Sequence, residues 1–187
     1  MKGFVAAMGA AAMLAPVCLW ACSAGASEMV VGDETAHACF EASRSTRADA
    51  GAVRLCDIAL EGLLKPDERG GALVNRGVIR MRRGELAAAH SDFDAAIPLI
   101  PASGEARFNR GAVFIGEHHY KEALADLDKA IELGVREAAK AYYYRGIAHD
   151  YLDDETAAYQ DYKQAEALAP NWDLPKHELR RFTVTHK

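Results

Sequence analysis

The chain lacks the sequence patterns of the common catalytic sites. It contains no serine in a nucleophile elbow, no glycine-rich phosphate loop and no His-Glu-x-x-His metalloprotease helix. The pair His118-His119 falls in a predicted turn, and adjacent residues there do not converge on one metal ion. The sequence therefore predicts a protein that is not an enzyme and that has no cofactor and no metal.

The chain also has little excess charge of either sign. Its 22 lysines and arginines stand against 27 aspartates and glutamates, giving a formal net charge of −5 at pH 7. A mildly acidic balance favours solubility and argues against a general nucleic-acid surface. The most basic stretch, "RMRRGE" from Arg80 to Glu85, ends a predicted helix, where positive charge favours the helix dipole. We expect no nucleic-acid partner.

Only one apolar run is long, and it is short for a membrane span. Gly3 to Leu19 is almost wholly apolar but is interrupted by Pro16, whereas a transmembrane helix needs about 20 apolar residues. Small residues follow, so residues 1–26 are predicted to be a secretory signal cleaved after Ala24-Gly25-Ala26, which leaves a flexible N-terminus over 27–33. The mature chain would then be periplasmic and soluble, without a membrane span.

A second interpretation of the same region stays open. Leu19-Trp20-Ala21-Cys22 resembles a lipoprotein box, although a tryptophan at its second position fits that box poorly. If Cys22 were lipidated, the protein would be an outer-membrane lipoprotein instead of a soluble one. The compartment lies outside the cytoplasm in both cases.

Cysteine is scarce, and only two cysteines remain after the signal. Cys39 and Cys56 lie in apolar-periodic segments on either side of the polar, turn-like stretch "SRSTRADAG". If residues 34–66 form two antiparallel helices, these cysteines face each other across the hairpin. A disulfide would suit an oxidising compartment. The alternative is a pair of small buried apolar residues that happen to be neighbours.

From residue 70 onward the sequence repeats itself. The segment "NRGVIRMRRGELAAAHSDFDAAI" is followed by "NRGAVFIGEHHYKEALADLDKAI" and then by "YRGIAHDYLDDETAAYQDYKQAE". Each unit places glycine in its first helix and alanine twelve and nineteen positions later, and these small residues let helix axes approach closely. The nine positions are Gly77, Ala89, Ala96, Gly111, Ala123, Ala130, Gly146, Ala158 and Ala165. A period of 34 or 35 residues filled by two amphipathic helices indicates a helical solenoid.

These motifs resemble the tetratricopeptide repeat family in its bacterial form, with "N-R-G" or "Y-R-G" in the first helix. The resemblance covers three repeats, 70–103, 104–137 and 139–172, and implies an all-α, right-handed α-solenoid of helix-turn-helix units. Residues 34–66 are then a degenerate leading hairpin. Residues 173–187 are expected to form a short capping helix, with Pro175 in its first turn, and a tail.

In the resembled family the first helix of each repeat lines a concave groove that binds peptides. Carried onto this sequence, the groove positions place an amide ladder in the first two units and tyrosines in the third. The expected binding residues are Asn75, Arg82, Phe108, Asn109, Lys140, Tyr143, Tyr144 and Tyr151. Asparagine can hydrogen-bond a peptide backbone, and tyrosine adds apolar area at small entropic cost.

Some family members hold a terminal carboxylate with lysines, asparagines and an arginine. Here Asn109 and Lys140 match that set, whereas Val74, Val78 and Tyr144 replace the other members. The main hypothesis is therefore an exported adaptor that binds a peptide or protein partner of unknown identity. A self-associating structural module, stacked through its short ends, and a lipid-anchored assembly factor are the alternatives.

Overall fold

The structure is a computed structural model that describes residues 34–45 and 48–182. The predicted signal (1–26) and flexible N-terminus (27–33) lie outside the described residues. Every regular element within the described ranges is an α-helix, which confirms the all-α prediction. In chain order, α1 to α9 are Glu34–Arg44, Ala50–Glu61, Pro66–Arg82, Leu86–Ala96, Gly104–Gly116, Tyr120–Glu132, Ala138–Tyr151, Glu155–Leu168 and Asp173–Leu179. None of these helices combines the length and the apolar character that a bilayer crossing requires.

Consecutive helices pack as hairpins that stack along one axis. Helix α1 packs on α2, α3 on α4, α5 on α6 and α7 on α8, and the second helix of each hairpin contacts the first helix of the next. The first helices α1, α3, α5 and α7 also contact one another in succession. They therefore form the inner side of the array, and the predicted helical solenoid is confirmed.

The repeated glycines lie where the two helices of a unit come closest. A Cβ atom built on Gly77 would lie 2.5 Å from Cε1 of Phe93, and one on Gly111 would lie 2.8 Å from Cγ of Leu127. A Cβ on Gly146 would lie 2.8 Å from Cε1 of the third large residue, Tyr162. Contacts below 3.0 Å force a neighbour to move, so only glycine fits against these side chains.

In the leading hairpin, two cysteines stand where each repeat has its glycine and its large residue. The structure joins Cys39 and Cys56 by a disulfide, with Cα atoms 4.5 Å apart and a sequence separation of 17. Cys56 stands between the buried Ala52 and Ala59, as the large residue of each repeat stands between its two alanines. Cys39 therefore occupies the place of the repeat glycine, and the disulfide replaces the contact between glycine and the large residue.

Helix α3 begins earlier than residue 70, where the sequence repeat begins. Pro66 supplies the first helical position, where a missing backbone N–H costs nothing. The side chain of Glu68 turns back and accepts a hydrogen bond from the backbone N–H of Lys65 at 3.0 Å. The extra turn buries Gly70 against Ile100, so it also supports the start of the first repeat.

At the other end, the short helix α9 covers the last repeat. Pro175 is buried, and Trp172, Leu179 and Phe182 pack around the buried Tyr143 and Tyr162. The guanidinium of Arg181 forms an ion pair with Asp150 on α7. These contacts are those of the expected C-terminal cap.

Candidate binding surface

The eight predicted binding residues lie on the inner helices α3, α5 and α7, but they are not equally accessible. Asn75 and Asn109 are 0% exposed, Phe108 is 2% exposed and Tyr143 is 3% exposed. A side chain this deeply buried cannot contact a ligand in this conformation. The structure therefore corrects the sequence interpretation at these four positions, including both members of the predicted amide ladder.

Each buried asparagine has a structural role. The hydroxyl of Ser43 on α1 donates a hydrogen bond to Oδ1 of Asn75 at 3.2 Å. The Nδ2 group of Asn109 donates to the backbone oxygen of Glu105 at 2.9 Å, one turn earlier in α5. Asn75 is buried because the leading hairpin packs on the first repeat and brings Ser43 against it.

Tyr143 is buried by the C-terminal cap. Its ring centroid lies 4.8 Å from that of Trp172 and 5.7 Å from that of Tyr162. Burial, with a smaller contribution from the negative charge of Glu178, raises the pKa of Tyr143 to about 12. Burial likewise raises the pKa of Tyr162. Both rings belong to the packing between the last repeat and its cap.

This burial predicts a loss of stability in alkali. Because the pKa of Tyr143 is about 12 in the folded protein and about 10 when unfolded, the unfolded chain loses its proton first. The contribution of Tyr143 to stability is fully present below pH 10 and should fall by about 2–3 kcal/mol as the pH rises to 12, and the buried Tyr162 adds a loss of its own in the same direction. Urea unfolding at pH 9 and pH 11.5 measures the loss. Tyr143→Phe should show a smaller loss, and an equal loss in that variant would contradict the assignment.

The accessible part of the predicted surface is aromatic. Tyr144 on α7 is half-buried, and its ring centroid lies 5.9 Å from that of Phe108. Tyr151, at the end of the same helix, is 59% exposed. It stacks on Tyr120 with ring centroids 4.4 Å apart and an interplanar angle of 4°. The two accessible tyrosines thus stand one above the other along one inner helix.

The two basic residues of the predicted site are engaged with the protein itself. The ammonium of Lys140 lies 2.6 Å from Oε2 of Glu137, one turn earlier. The guanidinium of Arg82 donates to the backbone oxygen of Ser45 at 2.9 Å, which ties α3 to the end of α1. The surface therefore offers apolar area more readily than positive charge.

Known proteins share part of this sequence and much of this geometry. No family model matches the chain. The Hsp70-Hsp90 organizing protein of Triticum aestivum is 40% identical over 89 residues, which is 48% of this chain but only 15% of that protein. The structure of MamA from residue 41 to its end, from Desulfovibrio magneticus RS-1, superposes with a TM-score of 0.66 and 23% identity, covering 81% of this chain and 84% of that solved chain.

Two solved repeat domains add to this likeness. The TPR domain of Arabidopsis OM64 superposes with a TM-score of 0.60 and 25% identity, covering 62% of this chain and 95% of that domain. The described part of the chain has the fold of a tetratricopeptide repeat domain. The second TPR domain of human RPAP3, solved in complex with an HSP70 peptide, superposes with a TM-score of 0.57 and 25% identity. This superposition covers 62% of this chain and 96% of the RPAP3 domain.

Each repeat contains a buried ion pair between its two helices, which the sequence interpretation missed. Arg110, directly before the repeat glycine, contacts the carboxylate of Asp126 with Nε at 2.6 Å and Nη2 at 2.7 Å. The equivalent pairs in the other repeats, at 2.7 Å, are Arg76 with Asp92 and Arg145 with Asp161. The three aspartate side chains are only 3–6% exposed.

Each of these arginines also reaches the preceding unit. Nη1 contacts an aspartate there, at Asp57, Asp94 or Asp128, with distances of 2.5–2.7 Å. These outer aspartates are 41–61% exposed, so their pairs contribute little to stability. We call the complete set the arginine ladder. A sequence signal existed, because an arginine precedes every repeat glycine and an aspartate precedes every large residue of the second helix.

The ladder stops at both ends of the tetratricopeptide array. In the leading unit Ala38 precedes Cys39, where the repeats have arginine before glycine. In the last repeat Lys163 follows Tyr162, where each earlier unit places an aspartate. A further unit added at the C-terminal end would therefore bring arginine against lysine. Neither end carries the charges that would continue the series.

The adjacent pair His118-His119 lies outside the helices. His118 occupies the turn between α5 and α6 with a φ of 63°, and its Nδ1 lies 2.7 Å from the hydroxyl of Tyr120. Over residues 34–45 and 48–182, no three His, Cys, Asp or Glu side chains cluster in a way that could hold a metal ion.

Proposed function

We propose that this tetratricopeptide repeat protein is an exported, non-enzymatic adaptor that binds a peptide or protein partner on its inner surface. Support comes from the RPAP3 domains, which are solved with peptides of HSP90 and HSP70. The observation that carries the proposal for this chain is the accessible aromatic pair, Tyr144 and Tyr151, on one inner helix. Aromatic residues supply most of the energy in many binding sites.

The accessible surface favours an apolar segment of the partner. Lys140 is already paired with Glu137, and Asn109 is buried, so the two residues that match a carboxylate-binding set are not both presented to a ligand. Tyrosine rings instead offer broad apolar faces with a hydroxyl at the edge. We therefore propose that recognition depends on apolar side chains and not on a free C-terminal carboxylate.

A binding experiment tests this site. Peptides selected from a displayed random library against the purified protein should bind about 30-fold more weakly to the Tyr144→Ala/Tyr151→Ala variant, equivalent to about 2 kcal/mol. Amidation of the peptide C-terminus should leave the dissociation constant unchanged. The control is Leu168→Ala, which removes a 49% exposed apolar side chain from α8, a second helix of a repeat. Equal binding by the double variant and the wild type would remove the proposed site.

The proposal places the protein in the periplasm, cleaved after Ala26. The supporting feature in the described residues is the Cys39–Cys56 disulfide, because disulfides persist in oxidising compartments. Cys22 and the cleavage site lie outside the described residues, so lipidation stays the alternative. A mass spectrum of the protein from its native envelope should begin at Ser27, with both remaining cysteines resistant to alkylation until a reductant is added.

Open-ended stacking of many copies is a less favourable function for this array. The ladder ends at Ala38 and Lys163, so joining the two ends of successive copies would form none of the ion pairs that link the internal units. Trp172 and Phe182, which flank helix α9, also cover the last repeat.

A further inference from the structure

Helix α2 carries an apolar stripe on the outside of the leading hairpin. Leu55 and Ile58 are 40% and 44% exposed, among the most exposed large apolar residues of the described chain. Gly51 lies one turn before Leu55, and Gly62 follows Ile58 by four positions directly after the helix. Spacings of four, three and four place these residues on one face of a helix.

The arginine ladder explains why this face is uncovered. The repeats have Asp92, Asp126 or Asp161 at the position that Leu55 occupies in the leading unit. Each of those aspartates is buried beneath arginine, whereas the leading unit has Ala38 at the arginine position. The first unit of a repeat array normally presents a polar outer face to water. Here the same end presents leucine and isoleucine.

We propose that a second copy of this chain packs on the stripe, with the two α2 helices antiparallel about a two-fold axis. The stripe has the same order of sizes in both directions, namely small, large, large, small. A two-fold axis between Leu55 and Ile58 therefore brings each Leu55 against the second copy's Ile58. It also brings each Gly51 against the second copy's Gly62, which lets the helices approach closely.

The charges beside the stripe are complementary under the same axis. Arg54 and Glu61 are exposed and lie seven residues apart, on the same side of α2. Their midpoint is within about one residue of the midpoint of the stripe, so antiparallel pairing places Arg54 opposite the second copy's Glu61, and the reverse. A parallel two-fold arrangement would instead place these charged residues of the two copies on opposite sides of the interface, where they could not pair. The two-fold arrangement closes on itself and forms dimers only.

The expected dimer is weak, because one face of a short helix buries less area than a standard interface. We expect a dissociation constant on the order of 100 μM, measured by sedimentation equilibrium of the purified protein over a range of concentrations. Ile58→Asp should abolish the dimer. Leu168→Asp, which places the same charge at an equally exposed apolar position on α8, should leave it unchanged.

A charge-reversal series tests the antiparallel geometry. Arg54→Glu alone and Glu61→Arg alone should each raise the dissociation constant by about tenfold, because both symmetric ion pairs become repulsive. The double variant Arg54→Glu/Glu61→Arg should restore the wild-type value. The three variants alter only two positions, both exposed, so circular dichroism should show an unchanged fold.

The proposal is overturned if the protein stays monomeric at every concentration. It is also overturned if the dissociation constant of the dimer is the same in the wild type and in all the charge-reversal variants. Neither outcome affects the inner-surface site, because peptide binding by Tyr144 and Tyr151 is measured separately.

Discussion

Replacing Arg110 with alanine is expected to lower the free energy of unfolding by about 3–5 kcal/mol. Asp126, 6% exposed, would keep its negative charge, and its nearest remaining basic group would be Nη1 of Arg107 at 3.9 Å. A buried charge without a close partner costs far more than the intact pair contributes. Urea denaturation followed by circular dichroism measures the change.

A matched arginine provides the first control for this prediction. Arg76→Ala should cost less, about 1–3 kcal/mol, because Asp92 keeps a second guanidinium, that of Arg80, at 2.8 Å. If Arg76→Ala were the more damaging variant, the stranded-charge explanation would be wrong.

Neutralising the aspartate provides the second control. The variant Arg110→Ala/Asp126→Asn should be more stable than Arg110→Ala alone, since it removes the charge that has lost its partner. If the losses of unfolding free energy in the two single variants simply added in the double variant, the explanation by an unpaired charge would be wrong.

The contact between Gly77 and Phe93 gives the second large prediction. Phe93→Ala removes a fully buried ring and should cost about 3–5 kcal/mol. Gly77→Ala should cost about 1–3 kcal/mol in the wild type, because the added Cβ would lie 2.5 Å from the Phe93 ring. Both costs are read from urea unfolding.

The sign of the glycine effect should reverse when the ring is absent. In the Phe93→Ala background, Gly77→Ala no longer meets a ring and gains about 1 kcal/mol of helix propensity. The two substitutions should therefore be strongly non-additive. Gly134→Ala is the control, because a Cβ there meets nothing within 4 Å and its φ of 78° imposes only a backbone cost of about 1 kcal/mol. Its effect should be the same in both backgrounds. Destabilisation by Gly77→Ala in both backgrounds would show that steric contact does not explain the glycine.

Much of the fold could be predicted from the sequence because the residues that determine it recur at a fixed interval. Gly77, Gly111 and Gly146 recur in phase with large residues 16 positions later, and the same periodicity indicates where each helix pair begins. The pairing of Cys39 with Cys56 was expected from their positions around a polar turn. The sequence pattern did not indicate that Cys39 occupies the position of the repeat glycine, because cysteine is larger than glycine and breaks the pattern of small residues there.

The proposed binding surface could be predicted only in part. Tyr144 and Tyr151 are accessible, as the proposal requires, whereas Tyr143, adjacent in sequence to Tyr144, is buried by Trp172, directly before α9. Asn75 is contacted by Ser43, which lies 32 residues earlier. Neither contact follows the repeat period, because the covering residues come from the two ends of the array.

The sequence alone determined the class of protein: small residues that recur every 34 or 35 positions, within two amphipathic helical patterns, specify stacked helix pairs because helices that pack closely need a small residue at the point of contact. The tertiary structure decided which residues of the inner helices reach solvent, and it revealed the arginine ladder and its two ends. Burial depends on what packs over a residue from elsewhere in the chain. A repeat pattern describes each unit and its neighbours in phase, but not the irregular segments that cover the first unit and the last.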